Sequence, residues 1–197
     1  MSEEGCDHSI KILLIGDDKV GKSSFIKRFM EDKFSNEPID ITNLENKTKI
    51  LEIEQKKIKI QIFNGVENQF NHRQNKNDFY LRIQGILVFF DLSNKTSFTN
   101  LDFYLEEIRN KCGSDMPLLI IGNKSDLEKA VTDEEIQKLC NDNDVESMNI
   151  SVKYNIKVTE SIETIGRSVI YNSYFRGDTI TIKNKNEFKM KKKKKKC

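Results

Sequence analysis

The 197-residue chain has no apolar run approaching the roughly 18 residues that a membrane span needs. Its opening stretch, Met1-Ser-Glu-Glu-Gly-Cys-Asp-His8, contains neither a basic segment nor an apolar one, which excludes a secretory signal. Cys6, Cys112, Cys140 and Cys197 form no C-x-x-C and no paired spacing, so neither a disulfide framework nor a zinc site is expected. His8 and His72 are the only histidines and lie too far apart to found a metal cluster. These absences point to a soluble, cytosolic protein, and an apolar content of 37% suffices for one domain with a sizeable core.

Charge is unevenly spread. From Arg176 onward ten Lys and Arg face two acids, a net of +8; the whole chain carries +2, which leaves −6 for residues 1–175. A folded surface of that sign is not built to coat nucleic acid, and attraction to anions is confined to the tail. The expected organisation is a short N-terminal extension at 1–8, one domain at 9–175 and a flexible basic tail at 176–197.

Apolar runs at Ile10–Ile15, Gly85–Asp91 and Pro117–Gly122 read as buried strands. Alternation over Lys47–Glu54 and Lys57–Phe63 predicts a hairpin turning at Gln55-Lys56. Helical spacing appears over Lys22–Met30, over Ser97–Cys112 with Ser97 as the expected N-cap, and over Val158–Phe175. Thr132-Asp-Glu-Glu135 carries a capping-box signature, and Val145–Ile150 is weakly strand-like. Residues 31–46 and 64–78 read as polar loops. Strands alternating with helices argue for an open, mostly parallel α/β sheet with one edge hairpin. Ligands in such sheets sit beyond the carboxyl ends of the strands, where 16–24, 122–126 and 151–153 should converge.

Gly16-Asp-Asp-Lys-Val-Gly-Lys-Ser23 matches G-x-x-x-x-G-K-[ST] between a strand and a helix. Glycines let the backbone curl with its N–H groups inward around phosphates, and the helix adds its positive end. Lys22 would reach the outer phosphates and Ser23 would offer a hydroxyl to Mg²⁺. Asn123-Lys-Ser-Asp126 follows a buried strand, where the Asp126 carboxylate can accept two hydrogen bonds from guanine that adenine cannot give.

With these two motifs the chain resembles a Ras-superfamily small GTPase of the Rab group over about residues 9–175. The resemblance implies the small G-protein version of the P-loop NTPase fold, about six mostly parallel strands with one antiparallel edge hairpin and helices on both faces. It implies GTP or GDP with Mg²⁺ as ligands, and effector and exchange proteins as partners of a monomer. Phosphate contacts would come from Gly16, Asp18, Lys19, Val20, Gly21, Lys22, Ser23 and Ser24. Base contacts would come from Asn123, Lys124, Asp126, Ser151, Val152, Lys153 and Phe34, although Phe34 reads equally as a core anchor for its loop.

Three elements depart from the family pattern. The threonine that closes over Mg²⁺ and the γ-phosphate falls on Ile41, with Thr42 one residue late. The Asp-x-x-Gly-Gln element reads Asn64-Gly-Val-Glu-Asn-Gln69, so Asn64 replaces a carboxylate and Glu67 a glycine. Asn68, or Gln69 after a slip, stands for the water-orienting glutamine. Asp18 lies in the phosphate loop; like charges about 4 Å apart repel by roughly 4 kcal/mol at an effective dielectric near 20, unless Asp18 turns to solvent. The expectation is a traffic-regulating Rab-like protein that binds guanine nucleotide but senses Mg²⁺ and γ-phosphate weakly and hydrolyses GTP slowly. The rivals are a non-cycling pseudo-GTPase adaptor at a membrane and a phosphate-loop kinase or ATPase.

Lys191–Lys196 precedes the terminal Cys197. Six lysines near an anionic leaflet contribute about 1 kcal/mol each before screening, and a prenyl chain on Cys197 would be the second signal that stable anchoring requires. The ending is neither a C-a-a-X box nor a double cysteine. The open readings are a solvated or nuclear-localising tail and a lipid anchor on the cytosolic face of an endomembrane or the plasma membrane.

Overall fold

The computed structural model describes residues 6–37, 39, 47–65, 80 and 82–176. Six strands form one sheet in the order β2-β3-β1-β4-β5-β6. They are β1 (His8–Gly16), β2 (Thr48–Ile53), β3 (Lys56–Asn64), β4 (Gly85–Asp91), β5 (Leu118–Asn123) and β6 (Glu146–Asn149). Only the β2–β3 pair is antiparallel; β1 pairs in parallel with both β3 and β4, and β4, β5 and β6 follow in parallel. The helices are α1 (Lys22–Glu31), α2 (Lys95–Thr99), α3 (Leu101–Cys112), α4 (Asp133–Asn143) and α5 (Val158–Arg176).

Side chains of period two divide the core. Ile10, Ile12 and Leu14 of β1 join Leu87, Phe89, Leu119 and Ile121 on the face covered by α1 and α5. Leu13, Ile15, Val88, Phe90 and Ile120 point the other way, under α2, α3 and α4. Strands buried on both faces explain the continuous apolar runs, with every residue of β4 buried. Because β3 and β4 flank β1 on opposite sides, the loop leaving β1 opens at the point where strand order reverses.

The elements fall where the sequence places them, with two shifts. The hairpin turns at Glu54-Gln55, both at positive φ (50° and 63°), with Ile53 opposite Lys56, one residue earlier than expected. The expected Ser97–Cys112 helix breaks at Asn100, and its N-cap is Asn94, which accepts from the Thr96 N–H at 3.0 Å. Ser97 is instead buried within α2, its hydroxyl accepting from the Asp91 N–H at 3.0 Å. The capping box at Thr132 and Glu135 forms as predicted.

Candidate functional site

At the end of β1 the chain turns through Gly16 (φ 137°), where a Cβ would collide with the Phe89 carbonyl oxygen. It curls into α1 through Gly21 (φ 103°), where a Cβ would strike the Asn123 amide. Both glycines therefore answer a close approach as well as a backbone angle. No side chain caps the N-terminus of α1, so its dipole and first N–H groups face the curl.

Lys22 is 6% exposed and donates to Gly16 O and Asp17 O, each at 2.6 Å. Burial pushes its ammonium below the ordinary lysine value, while the carboxylates of Asp18 and Asp17 pull the other way. Val20 is buried, and Ser23 and Ser24 are half-buried on the first turn of α1. Asp18 and Lys19 are exposed, Lys19 at φ 63°, so the Asp18 charge stands in solvent, where its field is screened.

The ends of β5 and β6 close on this loop. Asn123, 2% exposed, donates to Val20 O at 2.8 Å and accepts from the Val152 N–H at 3.2 Å. One amide thus joins the phosphate loop to the 151–153 segment. Ser151 donates to Asp126 Oδ1 at 2.5 Å and accepts from the Tyr154 N–H at 3.2 Å, and the Ser125 N–H donates to Ile150 O at 3.0 Å. These bonds fix the Asp126 carboxylate beside the 151–153 loop with one oxygen already engaged.

Lys124 (φ 64°) forms an ion pair with Asp91 Oδ2 at 2.6 Å. Burial pushes the Asp91 carboxyl up, but the hydrogen bonds from Lys124 and Ser93, together with the Lys124 charge, outweigh it and hold the group below its ordinary value. Arg28 of α1 donates to Val152 O at 3.1 Å and to Lys153 O at 2.9 Å, with its guanidinium 6.0 Å from the Phe34 ring centroid. Phe34 is half-buried against the core. Phe34 thus packs against the core and meets the cation that grips the 151–153 backbone.

Asn64 ends β3 at 2% exposure and donates toward Ser23 Oγ at 3.4 Å. A neutral amide thus meets the hydroxyl of the serine that the sequence suggested for Mg²⁺. Ile41, Thr42, Glu67, Asn68, Gln69 and Cys197 lie outside the described residues. Among the described residues no group of three or more His, Cys, Asp and Glu gathers as a metal cage.

The convergence of 16–24, 122–126 and 151–153 was readable from the sequence. Asp91, Arg28 and Asp17 were not singled out. Asp17 accepts at its two carboxylate oxygens from Asn100 Nδ2 and Tyr104 Oη, each at 2.8 Å. The only sequence signal for it was an acid placed directly after the strand.

A family model described as the Ras family matches residues 11–171. Ras-related protein Rab-13 of Bos taurus is 30% identical over 183 residues, covering 92% of this chain and 88% of that protein. GTP-binding protein ypt2 of Schizosaccharomyces pombe is 33% identical over 171 residues, 86% of this chain and 85% of its own. Ras-related protein Rab-8B of Bos taurus is 32% identical over 166 residues, with coverages of 83% and 80%.

Proposed function

The chain belongs to the Ras family as a Rab-like small GTPase, and from that premise we propose a membrane-traffic regulator that holds guanine nucleotide firmly but reads its γ-phosphate weakly. The observation that carries the reading is the bracing by Asn123, which ties the phosphate loop to the base loop through Val20 O and the Val152 N–H. The phosphates would lie against the backbone of 16–24, the uncapped end of α1 and the Lys22 ammonium. The base would sit between Lys124, Phe34 and the 151–153 backbone, with Asp126 accepting from its N1–H and N2–H₂ edge.

Mg²⁺, when bound, neutralises phosphate charge; Ser23 would hold it, with Thr42, one residue after Ile41, as a further hydroxyl. Asn64 offers no charge to a cation's water, and Ile41 and Glu67 replace a hydroxyl and a glycine. Phosphoryl transfer depends on positioning and charge stabilisation at those points, so hydrolysis is slow, with Asn68 or Gln69 as the residue left to orient water.

Single-turnover GTP hydrolysis beside an ordinary Rab tests this reading. A rate well below that of the Rab, with little response to Mg²⁺, is expected; a normal Mg²⁺-dependent rate overturns it. The neutral Asn64–Ser23 contact also favours a non-cycling adaptor. Equal affinity for GDP and a GTP analogue, with no change in loop protease sensitivity, selects the adaptor. In either reading residues 9–175 form the nucleotide domain, preceded by a short extension. The basic tail, with a prenyl group on Cys197, would hold the protein on a cytosolic membrane face. Equal prenyl label in wild type and Cys197→Ser rules that anchor out. Effector and exchange proteins would bind it as a monomer.

A further inference from the structure

Asn100 occupies the joint between α2 and α3, at the position that begins α3. An asparagine there ordinarily turns its side chain onto the helix's own first N–H groups. This one does not: it makes no side-chain cap bond, and its amide donates to Asp17 Oδ2 at 2.8 Å, across 83 residues of chain. One turn further along α3, the Tyr104 hydroxyl donates to Asp17 Oδ1 at 2.8 Å. A local capping preference is thus set aside for a long-range bond, and both oxygens of one carboxylate are held from the same helix.

Asp17 is also the residue whose carbonyl oxygen, with that of Gly16, accepts from the buried Lys22 ammonium. Its side chain is fastened to α3 while its main chain fixes the lysine of the phosphate loop. We propose that Asp17 is a positioning residue for that loop, and that Asn100 and Tyr104 set the placement of Lys22 through it. The proposal rests on the reading of 16–24 as a nucleotide-phosphate site. It adds that α3, which supplies no residue to that site, governs how long the nucleotide stays.

The test is the release rate of a fluorescent GDP analogue from the full chain. Tight binding by wild type establishes the nucleotide site, and its absence defeats that reading rather than this one. Tyr104→Phe should speed release about threefold to tenfold, the net range of a single intramolecular hydrogen bond. Asp17→Asn should exceed it, because the carboxylate charge is lost and only one acceptor oxygen remains for the two donors of Asn100 and Tyr104. Asp17→Asn combined with Asn100→Asp restores one donor facing one acceptor and should bring the rate back toward wild type. The tether is overturned if Tyr104→Phe releases GDP at the wild-type rate. It is equally overturned if the exchanged pair releases no more slowly than Asp17→Asn alone while melting at the same temperature as wild type.

Discussion

Asn123 and Asn64 each end a strand of the sheet, and each is 2% exposed, yet the two amides stand in unlike surroundings. Asn123 meets a backbone carbonyl on one side and a backbone N–H on the other, so its donor and its acceptor are both matched at 2.8 and 3.2 Å. Asn64 faces a serine hydroxyl at 3.4 Å, a long contact between groups that a divalent cation's hydration shell would otherwise separate. An amide is well chosen for joining two loops and poorly chosen for holding a cation, because it presents both polarities and no charge. On the proposed reading, the same side chain braces the base end of the cleft and brings no charge to the metal end.

Removing the base-reading carboxylate should break that contrast most severely. Asp126→Ala deletes the acceptor for guanine's donor edge and leaves the Ser151 hydroxyl without its present acceptor. GDP affinity should fall by a factor on the order of 10⁴, the scale of losing a matched polar group in a recognition site. Titration calorimetry with GDP measures it, and a loss under tenfold would assign the base to other residues.

Repairing the metal end is a smaller change in the opposite direction. Asn64→Asp places a carboxylate beside Ser23, and Mg²⁺-dependent GTP affinity should rise about tenfold, as one added charge-assisted contact allows. Equal affinities with Mg²⁺ and with a chelator, in both proteins, would show that position 64 is not what limits the metal.

The smallest effect concerns acid. Asp91 has its carboxyl held below the ordinary value of 3.8, so its contribution to stability is present above that value and lost as pH falls through the lower folded-state value. Asp91→Asn removes this contribution, so urea midpoints followed from neutral pH to about pH 3 should decline less steeply than in wild type. A parallel decline in both would mean that the Lys124 pair does not couple folding to protonation.

The strands were legible because burial on both faces leaves continuous apolar runs, as in Ile10–Ile15 and Gly85–Asp91. The phosphate and base motifs were legible because each is a short word fixed to a strand end. The hairpin was misplaced by one residue because Glu54 and Gln55 adopt left-handed angles that glycine or asparagine would have advertised. Ser97 and Asn94 are both competent caps, and sequence could not say that the Ser97 hydroxyl would be drawn to the Asp91 backbone instead. Arg28, Asp17 and Asp91 stayed hidden for a different reason. Each is a charged residue whose role appears only when residues far along the chain supply its partner.

The placement of β1 has a consequence for how the chain is made. His8 pairs opposite Ile58 and Ile12 opposite Gly85, so β1, the earliest of the described strands, has both of its neighbours synthesised much later. Among the described strands only β2 and β3 can close locally, across the Glu54-Gln55 turn. Pairings of such sequence separation form slowly, since the intervening chain must be ordered first. A nascent chain halted before β4 therefore carries the phosphate loop on a strand with an open, apolar flank. The sheet around that loop is complete at its centre only once β4 has been made.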